Sequence, residues 1–179
     1  MEEKWWEIMI RNRTDADVPA CADLLRQVFA IDGYPVEGVA DAEGWMYPEG
    51  LLSAWVATKN DEILGHTAVC KPQSGDASAE MLVARSKVQR SEIAVLARLF
   101  VGPNARGAGL GQRLAAVALE YASENNLHAV FDVMEKDQAA IRIYDNLGCV
   151  LLGRTSHHVP DGRVFSALCY AAPGTVLDR

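Results

Sequence analysis

The sequence contains no long apolar run. No stretch approaches the about 20 consecutive apolar residues that a membrane-spanning helix requires, although 50% of the 179 residues are hydrophobic. The segment from Met1 to Lys4 also lacks the basic region and apolar core that open a secretory signal. We therefore expect a folded cytoplasmic protein with no membrane partner.

Cysteine and basic residues are scarce. The four cysteines are scattered and form no Cys-x-x-Cys pair, which argues against metal ligation or a disulfide scaffold and favours buried, reduced thiols. The 17 lysines and arginines are outnumbered by 24 acidic residues, for a net charge of −7, and they form no basic cluster. We therefore expect no metal and no nucleic-acid partner.

Length and apolar spacing predict one α+β domain over residues 1–179, a length that can bury a substantial core. Alternating and helical patterns predict about seven strands in a mixed sheet, flanked by helices. The predicted strands are 6–12, 52–59, 63–71, 93–101, 127–134, 150–158 and 164–171, and the predicted helical segments are 21–29, 76–85, 109–121 and 137–147.

The most informative stretch runs from Leu99 to Tyr121 and combines a strand end, a glycine-rich turn and a helix. Four glycines and one proline lie between Gly102 and Gly111. Glycines let a ligand approach the backbone closely, and the N–H groups of a first helical turn point outward at the positive end of the helix dipole. The turn is therefore predicted to bind an anion, with Arg106 and Arg113 as donors suited to phosphate.

Two familiar nucleotide-binding motifs do not fit this turn. A Walker loop needs Gly-Lys-Ser/Thr after a glycine and four residues, and no such run is present. In a dinucleotide fingerprint counted from Gly109, the third glycine position is occupied by Leu114. Asp132 lies at a suitable distance downstream for a ribose contact, so a nucleotide-dependent oxidoreductase remains a less favoured alternative.

Two blocks of the chain resemble the GNAT superfamily of N-acetyltransferases. Arg106, Gly109 and Gly111 match the family's pyrophosphate loop, Arg/Gln-x-x-Gly-x-Gly/Ala. Residues 137–149 resemble its later helix, Asn-x-x-Ala-x-x-x-Tyr-x-x-x-Gly-Phe, with Asp137 in place of Asn and Cys149 in place of Phe. The resemblance covers roughly residues 8–171 and implies the GNAT acyl-CoA N-acyltransferase fold, whose central strands splay apart.

The resemblance implies acetyl-CoA as the cofactor. The N–H groups of residues 107–112 would hold its pyrophosphate, and the backbone of residues 99–101 would pair with its pantetheine arm like an added strand. The charge of Asp137 would oppose a nearby phosphate. The predicted cofactor-binding residues are Leu99, Phe100, Val101, Arg106, Gly107, Ala108, Gly109, Leu110, Gly111, Gln112 and Asp137.

The resemblance also implies catalytic roles. Tyr144 is the predicted general acid, because its ordinary pKa of about 10 is close to that of the thiol it would protonate. Many relatives carry a glutamate near the position of Val95, which is apolar here. Glu92 lies three residues earlier, about 10 Å along a strand, and would act as the general base through water. His66 and Asp132 are the other candidates for the base.

The acceptor site is predicted from the irregular segment 34–50. Its aromatic residues Tyr34 and Trp45 and its surrounding carboxylates would attract an amine, and His66 is a third predicted substrate contact. We expect an acetyl-CoA-dependent N-acetyltransferase that acts on a primary amine of a small molecule or peptide by direct attack. The acidic composition favours a cationic acceptor such as a polyamine, an aminoglycoside or an amino-acid derivative.

One alternative within the family stays open. Val95 and Asp137 depart from the family pattern, and these departures favour a GNAT-fold module that binds acyl-CoA without turnover. Trp5 and Trp6 are candidates for a homodimer contact or for core packing.

Overall fold

The computed structural model describes residues 7–178. Trp5 and Trp6, and with them the predicted start of the first strand, lie outside the described residues. The other predicted strands and helices are confirmed to within a few residues. The segment 34–50, predicted to be irregular, contains one short helix.

The helices and strands are bounded as follows. The strands are β1 (Met9–Asn12), β2 (Leu51–Lys59), β3 (Glu62–Cys70), β4 (Ile93–Val101), β5 (His128–Met134), β6 (Val150–His158) and β7 (Val164–Ala171). The helices are α1 (Val18–Asp32), α2 (Ala42–Trp45), α3 (Ala77–Arg85), α4 (Leu110–Glu124) and α5 (Gln138–Asn146). Within residues 7–178, no helix is long and apolar enough to cross a membrane.

The seven strands form one mixed sheet in the order β1-β2-β3-β4-β5-β7-β6. β4 and β5 are parallel, and every other neighbouring pair is antiparallel. Asn60 and Asp61 join β2 to β3, and both have positive φ values, 49° and 63°. Asn and Asp tolerate this conformation, which a tight hairpin turn requires.

Helices cover both faces of the sheet. On one face, α1 packs on Val56 and Phe100, and α3 packs on Val95 and Val130. On the other face, α4 buries Leu110, Leu114 and Ala118 at four-residue spacing, and α5 packs against α4. The sheet is therefore sandwiched between two helical layers, and the centre of β4 is covered on both sides. The predicted mixed α+β architecture is confirmed.

Candidate active site

A cleft opens in the sheet where β4 and β5 separate. The two strands pair only through Ile93–His128, Ala94–Ala129 and Val95–Val130. Beyond these pairs β4 continues to Val101 and β5 to Met134, each still paired with its outer neighbour. The inner edge of β4 from Leu96 onward therefore has no strand partner, and a cleft of about 1220 Å³ lies beside it.

Most of the predicted site residues line this cleft. The lining includes Leu99, Phe100, Val101, Arg106, Gly107, Gly109, Leu110, Gly111, Gln112, Asp137, Tyr144, Tyr34 and Trp45. Four predicted residues do not line it: Ala108, Arg113, His66 and Glu92. The sequence thus predicted which loop and which helix meet at the cleft, but not every side chain within them.

The glycine turn presents free backbone donors at one end of the cleft. Gly107 and Gly109 have φ values of +86° and +71°, a conformation that other residues rarely adopt. The first helical hydrogen bond runs from the Arg113 N–H to the Gly109 carbonyl. Among the hydrogen bonds of residues 7–178, none is donated by an N–H group from Gly109 to Gln112. These donors, at a helix N-terminus, suit an anionic group.

The basic side chains near the turn are already engaged. Arg106 pairs with Asp32 through both terminal nitrogens, one of them at 3.2 Å. Lys136 Nζ lies 3.2 Å from the Asp32 carbonyl oxygen and 3.3 Å from the Asp137 carboxylate. The prediction that Arg113 serves the anion site is wrong, because its guanidinium donates to the Ile8 carbonyl at 2.9 Å and does not line the cleft.

A β-bulge in β4 places Arg98 in the lining of the cleft, beside Trp45. Ala97 pairs with Ala68 and Phe100 with His66, so two residues of β4 face the single residue Thr67. Arg98 has a φ of +59°. Before the bulge, odd-numbered residues such as Val95 face α3, and after it Leu99 packs on the α4 side. The extra residue therefore reverses the alternation of the strand.

Arg98 was not predicted from the sequence as a site residue. A signal was available, because Arg98 is the one charged residue in the otherwise apolar segment Ile93–Val101. The bulge itself has no sequence signature, since it depends on how β4 pairs with β3.

His66 is a buried structural residue, so its predicted contact with substrate is wrong. The side chain is 0% exposed and stacks on Phe100 with ring centroids 5.3 Å apart. Its Nδ1 donates to the Arg98 carbonyl at 2.8 Å, which leaves Nε2 to accept from Arg13 Nη1 at 3.0 Å. Burial, together with the nearby arginines, lowers the pKa of His66 to about 4. A neutral His66 thus braces the bulge.

Glu92 is not positioned to act as the general base. It lies in a short 3₁₀ turn before β4, at the end where β4 and β5 are still paired. Its exposed carboxylate accepts a hydrogen bond from the Gln89 N–H at 2.8 Å. The strands do not separate until after Val95, and the intervening pairs close the cleft at that end.

The wall of the cleft nearest α2 is aromatic and charged. The Trp45 indole N–H donates to Glu37 at 2.7 Å, and the Arg98 guanidinium carbon lies 4.2 Å from the centroid of the Trp45 ring. Tyr34 packs edge-on against Trp45, with centroids 5.8 Å apart. The predicted aromatic and acidic wall is therefore present, with a cation at its centre that was not predicted.

Tyr144 projects from α5 into the cleft. It is 4% exposed, and its ring packs on Phe131 with centroids 4.1 Å apart. Within residues 7–178 no hydrogen bond to its hydroxyl is found. Burial, with a smaller effect of Tyr34, raises the pKa of Tyr144 above its ordinary value. The phenol therefore keeps its proton at neutral pH, but the raised pKa makes it a weaker acid than the ordinary value of about 10 on which the prediction of a general acid was based.

Asp132 is a carboxylate of the cleft lining that lies where β4 and β5 separate. It follows Val130 on β5, just beyond the last β4–β5 pair, and lines the cleft with Thr155 and His157 from β6. Its side chain reaches water through the cleft but is surrounded by protein, and this desolvation raises the pKa of Asp132 despite an opposing effect of His157. Asp132 was predicted from the sequence as one candidate base, whereas His157 was not.

Comparison with known proteins agrees with this geometry. The model of the acetyltransferase (GNAT) family matches residues 19–149. A mycothiol acetyltransferase of Rhodococcus jostii is 35% identical over 109 residues, which cover 60% of this chain and 32% of that protein. The chain thus spans about a third of the length of the curated relatives it matches.

Solved structures share the fold at low sequence identity. The structure of yncA from Salmonella typhimurium with its cofactor acetyl-CoA has a TM-score of 0.69, with 16% identity over 93% of this chain and 94% of that chain. A ribosomal-protein-alanine N-acetyltransferase from Brucella melitensis has a TM-score of 0.70, with 19% identity over 92% and 99% of the two chains.

Proposed function

The chain belongs to the acetyltransferase (GNAT) family, whose cosubstrate is acetyl-CoA, and we propose that it acetylates a primary amine with Tyr144 as general acid and Asp132 as general base. The observation that carries this proposal is the unpaired edge of β4 beside the free N–H groups of the glycine turn. The proposal treats the chain as one catalytic domain, residues 1–179.

The residues present fit acetyl-CoA at both ends of the cleft. The N–H groups from Gly109 to Gln112 would hold its diphosphate, and a Cβ on Gly111 would come within 2.8 Å of Ile143, so a side chain there would crowd this corner. The unpaired backbone of Leu99 to Val101 would pair with its extended amide arm. When bound, acetyl-CoA supplies an acetyl thioester.

Arg106 would contact the diphosphate only if its ion pair with Asp32 opened, or if its guanidinium bound both groups at once. Arg106 and Asp32 are both partly exposed at the mouth of the cleft, so the ion pair can exchange with solvent at little cost. The Asp137 carboxylate next to this position is offset by Lys136. We therefore assign most of the diphosphate affinity to the backbone N–H groups and not to the side chains.

Asp132 would accept a proton from the acceptor amine, and Tyr144 would donate a proton to the leaving sulfur. The attacking nitrogen must be a neutral amine, so a base must take a proton from its ammonium form, and Asp132 lies in the cleft with a pKa that burial raises above its ordinary value. The sulfur leaves as a thiolate and must take up a proton, and the buried phenol of Tyr144 still carries one at neutral pH. His157 faces the same space and would assist Asp132.

The acceptor is not taken from the relatives, because the matched segment covers about a third of their length. Four free cysteines, three of them buried, support a reducing, cytoplasmic location. A homodimer through the N-terminal segment stays a prediction.

Thiol release from acetyl-CoA in the presence of a panel of amines tests the proposal. We expect amine-dependent release well above hydrolysis, and titration calorimetry that shows CoA binding. CoA binding without turnover on any amine would instead favour the non-catalytic module. Absence of CoA binding would refute the assignment of the glycine turn.

A further inference from the structure

Arg98 carries an unsatisfied donor at the centre of the acceptor wall. Its Nε is buried and has no hydrogen-bond partner, one of two such buried side-chain atoms among residues 7–178. The guanidinium lines the cleft, and the side chain is 27% exposed. A buried donor without a partner is costly, because its hydrogen bonds to water are lost and not replaced. Such an atom marks a position where an external acceptor is expected.

The Arg98 side chain is held in place before any ligand arrives. The bulge fixes its backbone, and His66 anchors its carbonyl oxygen. Its guanidinium stacks on Trp45, and its Nη1 lies 3.7 Å from Glu37, a distance longer than a hydrogen bond. Glu37 therefore offsets part of the charge of Arg98 but does not use its donors, so the fork of N–H groups stays available for a carboxylate.

The charges around Arg98 favour an acceptor that carries both a positive and a negative charge. The cleft lining contains six carboxylates, of which Glu37 lies beside Arg98, Asp32 pairs with Arg106 and Asp137 pairs with Lys136; the others are Glu49, Asp76 and Asp132. These would attract an ammonium group, as the acidic composition predicted. A purely cationic acceptor, however, would place its charge beside Arg98. An acceptor that carries an amine and a carboxylate satisfies both groups.

We propose that the acceptor is an amino acid or a close derivative with a free carboxylate, and that Arg98 binds that carboxylate. Arg98 directly precedes residues 99–101, which are proposed to pair with the cofactor arm, so the carboxylate lies close to the attacking amine. This inference rests on the proposed function and narrows its substrate class.

The test compares matched acceptors: L-amino acids, their carboxamides and their decarboxylated amines, each assayed by thiol release from acetyl-CoA. We expect kcat/KM for the free acids to exceed that for the other two sets by about 100-fold, the usual scale for a charged hydrogen-bonded pair. Arg98→Gln should lower kcat/KM for the acids by a similar factor and change the carboxamides less than about threefold, while Arg98→Lys should retain part of the preference.

Arg26→Gln is the control, because Arg26 is an exposed arginine on α1 that pairs with Asp23 and does not line the cleft. It should leave all three sets unchanged, and CoA affinity measured by calorimetry should be the same in every variant. Wild-type enzyme that acetylates amines or carboxamides as well as the acids would overturn this inference alone. Absence of turnover on all three sets, with turnover on other amines, would also overturn this inference alone. Absence of turnover on every amine, with CoA still bound, would overturn the proposed function and this inference with it.

Discussion

Acid should destabilise the folded protein through His66. The imidazole is fully buried between Phe100, Arg13 and the Arg98 carbonyl, and its pKa is lowered to about 4 from 6.5. Between these two values the unfolded chain binds a proton that the folded chain does not, so the free energy of unfolding falls as the pH falls. At about 1.4 kcal/mol per pKa unit, the full effect is about 3 kcal/mol, of which about 2 kcal/mol falls between pH 7 and pH 5.

Urea unfolding at pH 7, 6 and 5 measures this effect. His66→Gln should be less stable at pH 7, because Arg13 and the bulge lose a partner, but its stability should depend less on pH by about 2 kcal/mol over this range. His128→Gln, at an exposed position on β5, is the control and should retain the wild-type dependence. Equal pH dependence in wild type and His66→Gln would refute the assignment of a neutral, buried imidazole.

Three further substitutions test the site and the sheet. Tyr144→Phe should lower kcat at least 100-fold and leave CoA affinity within about threefold, because the hydroxyl acts on the departing thiol; calorimetry and thiol release check this, and an unchanged kcat would remove the general-acid role. Asp132→Asn should lower kcat/KM at neutral pH and should remove the fall of kcat/KM that the wild type shows as the pH is lowered. If kcat/KM of the variant still falls at acid pH, another residue is the base. Gly65→Ala should cost about 1–3 kcal/mol in urea unfolding, because the new Cβ would lie 3.0 Å from the Phe100 carbonyl oxygen. Gly153→Ala, which would meet only the flexible end of Met81, is its control, and equal losses would show that the close backbone approach does not matter.

The fold was predictable because its signals are local. Alternating apolar residues located the strands, Asn60-Asp61 located a hairpin, and glycines placed the turn before α4. The anion-binding turn followed from the same local chemistry. The short helix Ala42–Trp45 escaped prediction because four residues carry too little periodicity to recognise.

The errors in the site concern features that depend on pairing between distant segments. The bulge at Arg98 exists only in the register of β4 against β3. The bulge places Arg98 in the cleft lining, and His66 hydrogen-bonds the Arg98 carbonyl at the bulge and does not reach the cleft. Likewise, the position of Glu92 outside the cleft depends on where β4 and β5 stop pairing. The spacing in the sequence predicted how far Glu92 lies from Val95 along the strand, but not where the cleft between β4 and β5 begins.

The central claim is that free backbone N–H groups at the glycine turn hold the diphosphate of the cofactor, and CoA calorimetry on two matched variants tests it most directly. Asn and Asp have the same shape and both tolerate the positive φ of Gly109, but only Asp adds a negative charge beside the proposed diphosphate. Gly109→Asn should bind CoA within about tenfold of wild type, and Gly109→Asp should bind at least another tenfold more weakly, with the gap shrinking in high salt. Equal CoA affinities for the two variants would contradict the claim.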